Sequence, residues 1–248
     1  MQWPPELAHT WDSLAAFLRG LRATLEARPR AIVVISAHWE EPRPTVTTGA
    51  HPSLIYDYYG FPPETYALTY GAPGSPLVAE RVRDLLAAAG IATSADAARG
   101  FDHGVFIPFK LIEPEAEIPI VQLSLLSSLD PAQHLAVGRA LEPLRDEGVL
   151  IVGSGMSYHN LREFLSSPNA AGSSAFDAWL SDTVLAETTV RHERLRSWEH
   201  APGARLAHPR EEHLLPLMVA AGAAGADHGT RIFHDRIIGS SISGCRFG

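Results

Sequence analysis

Apolar residues recur along this chain with two different periods. Leu7, Trp11, Leu14, Leu18, Leu21 and Leu25 step alternately by four and three, which predicts one amphipathic helix, closed by Pro29. Ala31–Ser36 is then a continuous, β-branched apolar run, the pattern of a strand buried on both faces. Residues 41–76 are dominated by Pro and Gly and predict a long excursion with short extended pieces, a length without regular structure that is usually functional. Leu77, Val78, Val82, Leu85 and Leu86 predict a helix over about 77–89, stopped by Gly90.

The second half keeps alternating. Ile118–Leu125 reads as a strand, Pro131–Arg145 as a helix with Asp130 at its N-cap, and Val149–Gly153 as a second buried strand. Residues 174–190 read as helix, 197–210 as loop and Glu211–Ala223 as helix. Arg231–Ile238 and Ser240–Phe247 read as one or two closing strands. Strands alternating with helices predict an α/β fold, a single domain over 1–248 with a mostly parallel or mixed central sheet flanked by helices. In such sheets ligands sit beyond the carboxyl ends of the strands, which is where candidate chemistry is sought.

Composition narrows that chemistry. The 248 residues are 46% hydrophobic and 19% charged, which excludes a disordered or fibrous chain. With 20 basic and 28 acidic side chains the formal charge is −8, so no broad cationic face for nucleic acid is expected. Lys110 is the only lysine, which leaves a Schiff-base mechanism one residue to rest on. Cys245 is the only cysteine, which excludes an internal disulfide or a cysteine-based zinc site and points to a reducing compartment. The start lacks a basic-then-apolar signal and no apolar run approaches the ~20 residues of a membrane span. A cytoplasmic protein without membrane contact, monomer or homodimer, is expected.

Twelve histidines make imidazole the candidate ligand and acid–base group. His38 follows the first buried strand, and His159 follows the second within Gly153-Ser154-Gly155-Met156-Ser157-Tyr158-His159-Asn160. His103 lies in Gly100-Phe101-Asp102-His103-Gly104, and His213 ends His208-Pro209-Arg210-Glu211-Glu212-His213. Each alone is more often a hydrogen-bonded loop residue than a ligand. Four at strand-to-helix junctions shift that balance. His9, His134, His192 and His200 are expected to be solvated, His228 and His234 to lie at the surface or on an edge strand, and His51 and His208 stay undecided. Glu211-Glu212 reads first as dipole-stabilising surface carboxylates in a helix's first turn. There is no G-x-S-x-G elbow, Walker-type loop or H-E-x-x-H helix. Gly153-x-Gly155 lacks the third glycine of a dinucleotide fingerprint, and no cofactor-binding residues are assigned.

In order along the chain, Ser36-Ala37-His38-Trp39, Gly60-Phe61-Pro62, Tyr66, Tyr70-Gly71-Ala72-Pro73-Gly74, Gly100-Phe101-Asp102-His103-Gly104, Pro119-Ile120-Val121-Gln122-Leu123-Ser124, Gly155 with His159-Asn160-Leu161, and His208-Pro209-Arg210-Glu211-Glu212-His213-Leu214-Leu215-Pro216-Leu217 resemble the DODA-type extradiol ring-cleaving dioxygenases of the protocatechuate 4,5-dioxygenase catalytic-subunit superfamily. The resemblance implies a non-haem Fe(II) site, with zinc possible in purified protein, acting on a small DOPA-like or other catechol and O2. By motif it makes His38 and His213 metal ligands, His159 the acid–base catalyst close to the metal, and His103 a second catalytic histidine that contacts substrate or oxygen. It also implies that the aromatic segment 56–73 walls the pocket.

The family opens with a strand ending in a His-Gly-rich turn that supplies another ligand. Here Met1 is followed at once by Gln2-Trp3-Pro4-Pro5 and the helix. The expectation is a chain lacking that leading strand, with Met1 an internal methionine and the metal held weakly by His38 and His213. Two further readings compete with the dioxygenase: a non-catalytic metal- or ligand-binding protein on the same scaffold, and a zinc hydrolase.

Overall fold

The computed structural model describes residues 9–166 and 170–248. Leu7, the first apolar position of the expected opening helix, lies outside them. The chain runs α1 (Asp12–Leu21), β1 (Ala31–Glu41), β2 (Thr45–Thr47), α2 (Pro76–Ala88), β3 (Ser94–Asp96), α3 (His103–Ile112), β4 (Ile120–Leu126), α4 (Pro131–Leu141), α5 (Pro143–Asp146), β5 (Val149–Ser154), α6 (Leu161–Ser166), α7 (Ala170–Leu185), α8 (Thr188–Arg196), α9 (Ala204–Ala207), α10 (Leu215–Ala223), β6 (Gly229–Ile237) and β7 (Ser240–Phe247).

Five strands form a mixed sheet in the order β3-β2-β4-β1-β5, in which β2 and β4 are antiparallel and the other neighbours parallel. β6 and β7 form a separate antiparallel hairpin. The fold is therefore α/β with helices flanking a mixed central sheet, as the alternation of periods predicts. Among the described residues no helix is long and apolar enough to cross a membrane.

The interior strand β1, between β4 and β5, shows why a continuous apolar run marks a doubly covered strand. Ala31, Val33 and Ile35 enter a core with Val82 and Leu86 of α2, Leu135 of α4 and Met218 of α10. Ile32 and Val34 enter a second core on the opposite face, with Val105, Phe106 and Phe109 of α3. Period-2 alternation thus serves two cores instead of one core and solvent.

Several boundaries differ from the sequence pattern for local reasons. Pro143 lacks the amide that would continue the helix from α4, so the chain breaks at Glu142 and restarts as α5. The expected helix from Glu211 begins only at Leu215, with Pro216 in its first turn; residues 211–214 form a turn closed by Leu214 N–H donating to the Glu211 carbonyl at 2.8 Å. The span 197–210 carries two short helical turns, Trp198–His200 and α9. β5 is an edge strand whose side chains are mostly half-buried, where the apolar run predicts full burial.

Candidate active site

The first functional side chain is positioned by an irregularity in β1. Ile35 pairs with Leu123 of β4 but Glu40 pairs with Leu125, so Ser36–Trp39 bulge out of the ladder and carry His38 at the carboxyl end of the strand. A fully buried carboxylate, Asp102, fixes the base of this bulge. It accepts hydrogen bonds from Ser36 Oγ at 2.7 Å, from Arg99 Nη2 at 3.2 Å and from Gln122 Nε2. Arg99 also stacks over Trp39 at 4.3 Å. β1, β4 and the start of α3 are thereby tied through one anion.

Glycine is required where α3 meets this bulge. A Cβ on Gly104 would lie 2.5 Å from Ser36 Oγ and 2.9 Å from His38 Nδ1. The close approach stacks His103, the first residue of α3, on His38 with ring centroids 3.9 Å apart and 20° between planes. A second glycine does the same on the other side. A Cβ on Gly155 would lie 2.3 Å from the His213 carbonyl oxygen, so the turn after β5 can press on the turn before α10. His159 then stacks on His213 with centroids 3.4 Å apart, and its amide donates to the Ala207 carbonyl at 2.9 Å.

The two stacked pairs meet at one point, where His38 Nε2 lies 3.2 Å from His213 Nε2. All four histidines singled out by position in the sequence therefore gather in one site. Each pair also has a carboxylate. Asp57 Oδ1 accepts from His103 Nδ1 at 2.8 Å and from the His103 amide at 2.9 Å. Glu212 Oε1 lies 3.4 Å from His159 Nδ1. Asp57 lies in the Pro- and Gly-rich excursion, where the resemblance implies only a pocket wall, and the sequence pattern puts Glu212 on a helix surface. Glu212 is instead mostly buried, because residues 211–214 are a turn folded into the site.

Burial dominates the site's electrostatics. Desolvation, with the nearby His159 and His38, pulls the His213 imidazole down to about 2, and His38 is lowered chiefly by desolvation and by His103. Both are neutral at ordinary pH, the state in which imidazole binds a metal. Burial pushes the Asp57 and Glu212 carboxyls up, but hydrogen bonds from His103 and His159 respectively outweigh it and hold both below the usual range. Arg210 grips Glu40 with both guanidinium nitrogens, at 2.5 and 2.6 Å, and reaches Glu212 Oε2 at 3.5 Å.

The donor set fits a metal ion. His38, Asp57 and His103 form one candidate group, and His159, Glu212 and His213 another, each with ligand atoms within 4.8 Å of one another. The Nε2 separation of 3.2 Å matches two adjacent corners of a coordination polyhedron, about 2.9–3.4 Å for metal–nitrogen bonds of ~2.0–2.1 Å. Nδ1 of His38 and Nδ1 of His213 are buried and lack hydrogen-bond partners, and the two Nε2 atoms have each other as partner at 3.2 Å.

Of the aromatic segment, Tyr58 stands edge-on to His103 at 5.6 Å and packs on Tyr66 at 5.2 Å and Phe61 at 5.5 Å. Its hydroxyl donates to the Thr65 carbonyl at 2.6 Å. Tyr70 is instead in the core, donating to the Glu113 carbonyl.

Two histidines expected to be solvated are buried structural groups. His134 accepts from the Leu126 amide at 3.0 Å and bonds the Asp130 carbonyl at 2.7 Å, and His192 bonds the Ala221 carbonyl at 3.1 Å. Their helical positions face other elements, which a single element's pattern does not reveal. His208 is fully buried, bonds the Ser157 carbonyl and packs on Phe176 and Trp198. His9, His51, His200, His228 and His234 are exposed.

The geometry agrees with what the chain is similar to. The family model described as the catalytic LigB subunit of aromatic ring-opening dioxygenase matches residues 1–245. The protein named dioxygenase tasH of Hapsidospora irregularis is 44% identical over 230 residues, covering 88% of this chain and 71% of its own length. A protein of Beta vulgaris named 4,5-DOPA dioxygenase extradiol is 45% identical over 220 residues, 87% of this chain and 81% of that one. The crystal structure of the uncharacterised protein JW3007 from Escherichia coli K12 superposes with a TM-score of 0.78 at 34% identity, covering 92% of this chain and 91% of its own.

Proposed function

The chain belongs to the family of the catalytic LigB subunit of aromatic ring-opening dioxygenases and is an extradiol ring-cleaving enzyme, and we propose that it inserts O2 into a small catechol, DOPA-like or similar, at a non-haem Fe(II) centre. His38 and His213 are the proposed metal ligands, His159 the acid–base catalyst and His103 the second catalytic histidine. The observation that carries this reading is the meeting of the His38 and His213 Nε2 atoms at 3.2 Å, with His103 and His159 stacked on either side.

When bound, the iron supplies open positions at which a chelating catechol and O2 meet, and its charge favours the catecholate. The chain's own groups handle the protons and border the substrate. His159 takes the second phenolic proton and returns it as the ring opens beside the diol. The Glu212 carboxylate, 3.4 Å from its Nδ1, stabilises the imidazolium formed in between. Neutral His38 and His213 keep their Nε2 lone pairs for the metal. Tyr58, packed on Tyr66 and Phe61, stands edge-on to His103 and gives the substrate an aromatic border on that side. Zinc suits the same imidazole and carboxylate donors and is the ion expected to replace iron in purified material.

Anaerobic loading with Fe(II), followed by admission of O2 to a panel of catechols, tests the reading. Coloured ring-opened product with at least one catechol is expected. An iron-loaded protein that turns over none of them would overturn it.

A further inference from the structure

We infer that Asp57 is the positioning residue that fixes the tautomer of His103, holding the hydrogen on Nδ1 and leaving the Nε2 lone pair to accept from the substrate. The inference rests on the reading of this site as a catechol site and adds to it a residue and a polarity.

A carboxylate only accepts hydrogen bonds. Asp57 Oδ1 lies 2.8 Å from His103 Nδ1, so in the neutral ring the hydrogen sits on Nδ1 and the lone pair on Nε2. The same oxygen accepts the His103 amide at 2.9 Å. That amide is one of the first four of α3, which no carbonyl of the helix can satisfy. The residue before it, Asp102, makes no capping bond because its carboxylate is committed to Ser36, Arg99 and Gln122. Asp57 therefore caps α3 from a distant segment and orients the first side chain of that helix with one atom.

The backbone holds Asp57 in place. Leu54 bridges Phe101, the Ile55 amide donates to the Phe101 carbonyl at 2.8 Å, and the Phe101 amide donates to the Ser53 carbonyl at 2.8 Å. This parallel run of segment 53–55 beside residue 101 carries Asp57 over the start of α3. The His103 ring is stacked on His38 at 3.9 Å and has Tyr58 edge-on at 5.6 Å. The hydrogen bond from Nδ1 decides which nitrogen is left for a ligand. A catechol hydroxyl donates to that nitrogen, and the Asp57 carboxylate holds the ring in the orientation that receives it.

Nitrogen-15 NMR of histidine-labelled protein, with His103 assigned by its loss in His103→Gln, reads the tautomer directly. The wild type is expected to show the Nδ1–H form, which free histidine disfavours, and Asp57→Leu, which removes the acceptor, to move the signal toward Nε2–H with wild-type metal content. In steady-state kinetics of the iron-loaded enzyme Asp57→Leu should lower kcat by about 10–100-fold with a smaller change in KM. Asp57→Leu/His103→Gln should be no slower than His103→Gln alone, since Asp57 acts through that ring.

An Nε2–H tautomer in the wild type would overturn the inference even if Asp57→Leu failed to fold. So would parallel loss of metal and activity in Asp57→Leu, which would make Asp57 a ligand, or losses that multiply in the double variant. The tautomer needs no turnover, so a protein that keeps the Nδ1–H form but cleaves no catechol would refute the proposed reaction and leave the positioning role standing.

Discussion

His38 and His213 face each other Nε2 to Nε2 at 3.2 Å, although 175 positions separate them in the chain. One comes from a bulge at the end of β1 and the other from the turn that precedes α10. Under the proposed function these two imidazoles share one cation through their Nε2 atoms.

Metal content should follow this pair. His38→Ala and His213→Ala are expected to lose the bound metal, whereas His159→Ala keeps most of it and loses ring cleavage. Elemental analysis of each variant after reconstitution checks this. Equal metal loss in His38→Ala and His159→Ala would make His159 a ligand.

The approach of α3 to the bulge has no room for a methyl group. Gly104→Ala would set a Cβ 2.5 Å from Ser36 Oγ, 2.9 Å from His38 Nδ1 and 3.1 Å from Asp102 Oδ1. Relief requires His38 to move, so metal affinity should fall along with about 1–3 kcal/mol of stability. Metal titration and urea unfolding measure the two. Unchanged affinity would mean that the His38 ring is not held by this contact.

Asp102 should behave as a structural anion. Asp102→Ala leaves Ser36, Arg99 and Gln122 without their common acceptor inside the protein, a loss of about 3–5 kcal/mol for a broken buried pair. Asp102→Asn keeps an acceptor oxygen and should cost less. Equal unfolding midpoints for the two variants would contradict this reading.

Stability of the metal-free protein should fall as the solution is acidified. Burial depresses His213 to about 2 and His208 to about 4 from an ordinary 6.5. Above 6.5 both groups are neutral folded and unfolded, and nothing is lost. Below it the unfolded chain takes up protons that the folded chain refuses, so each group removes about 1.4 kcal/mol per pH unit until its folded value is reached. Between about pH 6 and pH 5 the pair should cost on the order of 2–3 kcal/mol. His208→Gln, outside the proposed ligand set, should flatten that slope. Urea midpoints that stay level or rise on acidification would contradict the burial of these rings.

What was legible in the sequence was what local pattern encodes. The run Ala31–Ser36 marks an interior strand because both of its faces are covered, and His38 and His159 stand out because they follow apolar runs that form strands. The extent of that strand was not legible, since β1 continues through a bulge to Glu41 whose register is set by β4.

Asp57 was missed for a related reason. It sits in an irregular stretch and reaches His103 only through the pairing of 53–55 with Phe101, a contact between segments that no periodicity announces. Glu212 reads as a surface carboxylate because two acids at the start of the expected helix Glu211–Ala223 suit its dipole. Pro216 in the first turn of α10 and the Glu211–Leu214 turn place that start four residues later and send Glu212 inward. His134 and His192 show the same limit in reverse. A polar residue on a helix was read as solvated, and packing against a neighbouring element buried it.

The central claim is that this histidine cluster carries oxygenation of a catechol ring. Mass analysis of the product formed under isotopically labelled O2 by the Fe(II)-loaded protein, with His38→Ala treated identically, tests it most directly. Both labelled oxygen atoms should appear in a ring-opened product of the wild type, and none in that of the variant. Product carrying no label, or equal labelling by the variant, would contradict the account.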